Sequence, residues 1–305
     1  MVHAVPSTPA HPRAPQSLRG RRAAPILLAL LGLGIGMGSG MGNAHAAGPA
    51  CYNFSPVNQY NVQVSASFWN PIIHYVATRS GVCLNLKLGR TSADTTSFVL
   101  AREVDFAFTN HLFSPEREKM GWTVFGRRDL PPVRSQIVVP ADSPIRDLHQ
   151  LAGATVGFPG PEALVAYKVS YAQLLRRDIP VNVVFAGNQD AAFTQLFAGM
   201  VKAVGANSQL VENWKGREGA AFRVLWSSEP YNDLALMYSP RVPAARARAV
   251  ARAFLAMHRD PEGRRILDAA GELIHSPAPI SFVAADDGDY ASYRAFYAGA
   301  PAGLR

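Results

Sequence analysis

The sequence predicts an α/β protein large enough for two lobes. Three observations carry this. Strand-like and helix-like stretches alternate along most of the chain, the pattern of sheets covered by helices. Setting aside a leader over residues 1–46 of the 305 leaves about 259 residues, enough for two separate cores. The stretch Arg134–Phe158 reads as strand, short helix and strand in quick succession. In it a β-branched run, Gln136–Val139, ends at Pro140, and Ser143 and Pro144 supply an N-cap and first residue for a short helix. Gly153 closes that helix, and a second strand, Ala154–Phe158, follows.

The leader is read from its own pattern. Arg19, Arg21 and Arg22 precede an apolar run, Ala23–Leu33, and Ala44-His45-Ala46 supplies a small-residue cleavage site. This is the layout of a secretory signal peptide, and it predicts export with cleavage. The apolar run is too short and too interrupted by Gly to serve as an anchor. The formal net charge is +8, and the leader contributes four arginines and no acids, so the mature chain carries +4. That mild balance suits a small anionic ligand. No lysine-rich tract or aromatic-interleaved basic stripe is present, so no nucleic-acid partner is expected. The two cysteines, Cys51 and Cys83, both fall in the exported part, where an oxidising compartment favours a disulfide. A metal or haem site would need a C-x-x-C-H motif or further thiols, and none occurs, so no cofactor and no metal are expected.

Each element follows from local pattern. Val62–Ser65 reads as the first strand, with Phe68 and Trp69 in the loop after it. Asn70 then caps a helix with Pro71 at its first position, Ile72, Ile73, Val76 and Ala77 on one face, and Gly81 at its end. Leu84–Leu88 alternates as a strand, Ser92 starts a helix through Leu100, and Val104–Phe108 is a third strand. Strands near 122–125 and 134–139 follow. The later half repeats the style, with strands at Ala154–Phe158, Val181–Phe185 and Val201–Gly205. Between and after them come helices at Glu162–Arg177, Asp190–Ala198 and Ser208–Trp214. Strands at Phe222–Trp226 and Leu234–Tyr238 lead to helices at Pro243–His258 and Pro261–Ala270, and a last helix is expected around Asp289–Tyr297.

Several of these stretches resemble one family. Arg134–Phe158 is similar to the crossover between the lobes of type II periplasmic solute-binding proteins. Glu103–Phe108 resembles the "g-x-V-D-i-a-y" strand of the phosphate/phosphite/phosphonate-binding group, and Arg134-Ser135 with the strand after it resembles "Y-R-S-v-i-v". Phe185–Ala192 is similar to "f-s-G-s-H-d-a-s", Val201–Ala206 to "V-D-A-g-a-v", and Asp260–Leu267 to "D-P-e-G-r-a-i-L". The order and spacing hold from about residue 60 to 272. The resemblance implies a two-lobed periplasmic-binding-protein type II fold with two crossover strands as hinge. Lobe 1 would comprise 47–136 and 237–305, and lobe 2 would comprise 137–236. It implies a monomer that captures a small anionic ligand of the phosphonate/phosphate-like oxyanion class between its lobes and delivers it to an ABC permease in the inner membrane. A periplasmic sensory module presenting its ligand to a receptor is the alternative.

Departures from the family pattern bear on the ligand. Where the family has a Ser/Thr anion anchor after the first strand of lobe 2, this chain reads Gly157–Leu164, without a hydroxyl and with Glu162. A phosphonate there would lose three side-chain donors, each charge-assisted bond being worth roughly 1.5–3 kcal/mol. Alkylphosphonates are therefore not expected to be the best ligands. The family His of "G-s-H-d" is Gln189 here, and the acid of "V-D-A" is Lys202.

The expected site lies at the carboxyl ends of the strands, where ligands of open α/β sheets bind and helix starts offer free N–H groups. Phe68 and Trp69 would wall it on the lobe 1 side, with Thr109, Asn110 and His111 as the main polar cluster. Ser135 would join from the first crossover, and Tyr231 from the approach to the second. Lobe 2 would supply Gly160, Glu162 and Ala163, then Asn188 and Gln189, then Asn207 and Ser208. No G-x-S-x-G elbow, H-E-x-x-H or P-loop occurs, and no histidines are spaced as a metal pair, so binding rather than catalysis is expected.

Overall fold

Two mixed sheets organise residues 51–305, the part of the chain that this computed structural model describes. The leader expected over 1–46 lies outside the described residues. The first sheet holds six strands: β1 (Tyr52–Pro56), β2 (Leu84–Leu86), β3 (Phe106–Thr109), β4 (Thr123–Arg128), β10 (Ala235–Tyr238) and β11 (Phe282–Val283). Their spatial order is β11-β4-β10-β3-β1-β2, parallel among β1, β2 and β3 and antiparallel elsewhere. The second sheet holds β5 (Val133–Pro140), β6 (Thr155–Phe158), β7 (Asn182–Phe185), β8 (Ala203–Asn207) and β9 (Phe222–Tyr231), in the order β7-β6-β8-β5-β9. The chain leaves the first sheet between Arg128 and Val133 and returns between Tyr231 and Ala235. These are two short passages a few residues from the boundaries expected near 136 and 237.

Helices cover both sheets. They are α1 (Val62–Ser80), α2 (Asp94–Leu100), α3 (Pro115–Glu118), α4 (Ser170–Arg176), α5 (Gln189–Phe197), α6 (Ser208–Glu218), α7 (Ala244–Ala256), α8 (Pro261–Leu273) and α9 (Ala291–Gly299). Three corrections to the expected elements follow. Val62–Ser65 is the first turn of α1, not a strand: Asn61 caps it by accepting from the Val64 N–H at 2.9 Å. The buried Phe68, Trp69, Ile72, Ile73 and Val76 then recur at helical spacing. Pro71 lies inside this helix and costs the Ser67 carbonyl its partner, but both residues are exposed and water can replace the bond. The first strand is instead Tyr52–Pro56.

The second correction concerns Ser143 and Pro144. They open only a turn, and the helix reduces to three 3-10 residues, His149–Leu151, before Gly153 takes φ +75°. The third concerns Glu162–Arg177, where helix begins at Leu164 as a π-turn, Leu164–Val169, and passes into α4. A π-turn of this kind often marks a functional site.

Trp69 anchors the core beneath the first sheet, with its ring 5.1 Å from those of Phe54, Phe68 and Phe108. Such pairs add about 0.5–1.5 kcal/mol each beyond simple burial. Cys51 and Cys83 form a disulfide that joins the start of β1 to the residue before β2, 32 positions apart. Closing a loop of that length stabilises by roughly 3–4 kcal/mol in the chain-entropy account. Reducing it is expected to lower the unfolding free energy by about that amount. Urea unfolding with and without reductant checks this, and coincident curves would refute it.

Candidate ligand-binding site

A cavity of about 40 Å³ lies where the two sheets face each other across the loops that follow their strands. That is room for a few water molecules or one small solute. The first sheet contributes Val57, Asn58 and Gln59 after β1, Ser92 before α2, and Asn110 and His111 after β3. The second contributes Pro159, Ala163, Val165 and Ala166 after β6, Gln189 at the start of α5, and Asn207 at the start of α6. Leu210 and Leu234 complete the lining. The parallel register explains the convergence, since parallel strands present all their carboxyl ends along one edge.

Each polar group is held by its own neighbours. Burial pushes the His111 imidazole down to a pKa of about 3, with Arg117 and Lys168 lowering it further and Glu162 opposing, so the ring is neutral at physiological pH. Its Nδ1 lies 2.8 Å from Thr96 Oγ1. The backbone N–H of His111 donates to Thr109 Oγ1 at 3.0 Å, which gives Thr109 a turn-forming role. Asn207 caps α6 by accepting from Gln209 N–H at 2.9 Å, so its amide nitrogen is left for the cavity. Asn58 donates from Nδ2 to the Gly89 carbonyl, and Gln189 donates from Nε2 to the Gly205 carbonyl at 3.3 Å. Their oxygens, Asn58 Oδ1 and Gln189 Oε1, are buried and have no partner among the described residues.

Direct bonds cross the cleft around the cavity. The Ser92 N–H donates to the Gly187 carbonyl at 2.7 Å, and Ser92 Oγ donates to the Pro159 carbonyl at 3.3 Å. Gly160 permits that approach, because a Cβ there would sit 2.5 Å from Ser92 Oγ. Asn213 Nδ2 donates to the Tyr60 hydroxyl at 2.8 Å, and the Arg217 guanidinium lies 5.3 Å from the Tyr60 ring. Arg117 of α3 forms an ion pair with Glu162 and also donates to the His111 carbonyl at 2.8 Å. Burial pushes the Glu162 carboxyl up, but the bond to Arg117 and its charge outweigh that and hold it below its ordinary value.

Of the residues expected at the site, Asn110, His111, Ala163, Gln189 and Asn207 line the cavity. Gly160 and Glu162 stand beside it in cross-cleft contacts. Phe68 and Trp69 do not: they sit on α1 within the aromatic core, which corrects their expected placement in a loop. Ser135 faces Ser170, with Oγ to Oγ at 2.6 Å inside the second lobe. Asn188 caps α5 through the Ala191 N–H at 2.8 Å. Ser208 Oγ accepts from Arg134 N–H at 2.9 Å, and the Tyr231 ring lies 5.3 Å from that of Tyr293. Asn58, Gln59 and Ser92 were not expected. The signal that could have found Asn58 and Gln59 is β1: once Tyr52–Pro56 is taken as a strand, they follow its carboxyl end as Asn110 follows that of β3.

Two sheets joined by two short passages, with a small cavity between them at the strand ends, define a two-lobed periplasmic-binding-protein type II architecture. The chain belongs to the family described as "ABC transporter, phosphonate, periplasmic substrate-binding protein", whose model matches residues 54–290. Among solved structures it is similar to a binding protein component of an ABC phosphonate transporter from Pseudomonas aeruginosa. That match has TM-score 0.67 and 15% identity and covers 80% of this chain and 84% of the other. It is similar also to PhnD1 from Prochlorococcus marinus, solved with methylphosphonate, with TM-score 0.67, 14% identity and coverage of 80% and 96%. A Xanthomonas citri protein bound to chloride matches with TM-score 0.63, 16% identity and coverage of 82% and 96%. At such identities the likeness is one of fold. Comparison with curated proteins gave no match.

Proposed function

We propose that this chain is an exported solute-binding protein that captures a small ligand between its two lobes and delivers it to an ABC-type permease of the inner membrane. The observation that carries the reading is the cavity itself, lined by polar and apolar side chains from both lobes and bridged at its rim by direct bonds. Family membership and the alternation of elements support it. The passages at 129–132 and 232–234 serve as the hinge, and closure is a rigid-body movement about them. Lobe 1 then comprises the elements up to Arg128 and from Ala235 onward, and lobe 2 those from Val133 to Tyr231, a few residues before the expected boundaries at 136 and 237. Phosphonate- and phosphate-like oxyanions are the class that family membership brings forward. No step of catalysis is assigned.

The Arg117–Glu162 pair is a latch for the closed state. Its side chains are about one-fifth exposed (20% and 22%), so solvent weakens it only in part. A charge-assisted bond of this kind contributes about 1–2 kcal/mol, a factor of 5–30 in the ratio of closed to open forms. Glu162→Ala is expected to weaken ligand affinity by up to that factor, because affinity scales with the closed fraction. The ligands to test are phosphate, phosphite, methylphosphonate, sulfate and short carboxylates, together with small uncharged solutes. Binding is read as a rise in Tm that grows as ln(1 + [L]/Kd). Compaction is read by small-angle X-ray scattering. A ligand that binds without compaction, or with unchanged affinity in Glu162→Ala, would end the two-lobe capture reading. Co-purification with a receptor instead of a permease would redirect it to sensing.

A further inference from the structure

The cavity has a polarity that the positive charge of the chain does not suggest. Among the described residues lining it, none is Lys, Arg, Asp or Glu. His111 is neutral and tied through Nδ1 to Thr96 Oγ1. Of the two cations that act on His111, Arg117 is paired with Glu162 and bonded to the His111 carbonyl, and Lys168 sits over the Tyr297 ring at 5.0 Å, outside the lining. An ionised oxyanion entering here would shed its water and meet no charged side chain in the lining, which is costly in a buried site.

The unpartnered atoms point the same way. Asn58 and Gln189 are each 1% exposed, and both line the cavity. Their amide nitrogens are committed to the Gly89 and Gly205 carbonyls, so each leaves an oxygen without a partner. An amide oxygen accepts and cannot donate. One belongs to the first lobe and the other to the second, so a ligand that donates to both would satisfy two buried acceptors and tie the lobes together. Sulfate has no hydrogen to give, and phosphate or methylphosphonate at pH 7 keeps an O–H group but brings net negative charge with it. The ionised oxygens of any of them would lie against two further oxygens. Asn207, with its nitrogen left over from capping α6, supplies a donor, so the site wants a ligand that also accepts.

We propose that the ligand is a small uncharged solute with O–H or N–H groups that donates at least two hydrogen bonds, one to Asn58 Oδ1 and one to Gln189 Oε1. This rests on the capture reading above and narrows it to a ligand class. Boric acid, small amides and small polyols have the required pattern of donors and acceptors.

The test uses the exported chain, with its disulfide intact, freed of endogenous ligand by unfolding, dialysis and refolding. Boric acid, urea and glycerol are compared with phosphate, sulfate and methylphosphonate by calorimetric titration at pH 7. At least one uncharged probe is expected to bind at least tenfold tighter than each of the three anions. Boric acid binding should also fall as pH is raised through its ionisation. Gln189→Met keeps the side-chain length and removes the acceptor. It also removes the Nε2 bond to the Gly205 carbonyl, so it should weaken the uncharged probe tenfold or more while the ligand-free protein, less stable by that one bond, stays folded at the titration temperature. Asn58→Leu is the matching variant from the other lobe.

Tighter binding of any of the anions would overturn the ligand class and leave capture standing. An uncharged probe unaffected by both variants would do the same. If none of the six compacts the chain or binds, the capture reading fails and this one with it.

Discussion

Replacing Arg128 with methionine is expected to destabilise the folded chain by about 3–5 kcal/mol, a large share of the stability of a domain. Arg128 ends β4, and its guanidinium holds Asp233 with two bonds, Nε to Oδ2 at 2.5 Å and Nη2 to Oδ1 at 3.0 Å. The two side chains are 1% and 0% exposed. Removing one member leaves the other as a buried charge, which is the costly outcome; replacing both with apolar groups is not. Arg128→Met with Asp233→Leu should therefore recover much of the loss, as read by denaturant unfolding. Equal costs for the single and double variants would show that the pair is not coupled.

The position makes the pair more than a structural staple. Arg128 precedes the first passage between the sheets, and Asp233 lies within the second. Arg128 Nη2 also donates to Gln59 Oε1 at 3.1 Å, and Gln59 lines the cavity. The Tyr290 hydroxyl donates to the Asp233 carbonyl at 3.0 Å. One buried ion pair thus pins both passages and reaches the ligand cavity through a single side chain.

Acidification from pH 7.5 to 5 is expected to remove about 2 kcal/mol of stability through His111 alone. Burial holds its folded pKa near 3, against 6.5 when unfolded. Between those values the unfolded chain takes a proton that the folded chain refuses, so stability rises with pH across this window. The contribution is complete above about pH 6.5 and lost as pH falls towards 3. His111→Asn has no proton to take and should flatten the slope between pH 7.5 and 5, where most carboxylates stay ionised. Urea unfolding at both pH values measures it, and the same slope in wild type and variant would exclude His111 as the source. Because His111 lines the cavity, protonation would also place a positive charge where the site is otherwise uncharged.

Much of the fold was legible in local pattern. Gly81, Gly153 and Asn188 mark helix ends and starts where chain chemistry requires them, and Gly81 and Gly153 take φ of +65° and +75°. Asn110, His111, Gln189 and Asn207 were found because they follow predicted strands or open predicted helices, and the parallel register carries such positions to one edge. Val62–Ser65 was misread because two valines alternating with polar residues satisfy a strand as well as a first helical turn. Only the run from Phe68 to Val76 and the cap at Asn61 decide for helix. That one error displaced Phe68 and Trp69 into a loop and hid Asn58 and Gln59.

By itself the sequence determined the alternating elements, the pairing of Cys51 with Cys83 and the loops that carry the site. All of these depend on residues near in sequence or on a choice of one partner. The tertiary structure alone decided which side chains face the cavity, that Arg117 meets Glu162 across it, and that Arg128 and Asp233, 105 positions apart, share a buried bond. Those outcomes depend on how two sheets built from distant parts of the chain pack against each other. No periodicity along either stretch encodes contacts between residues so far apart in the chain.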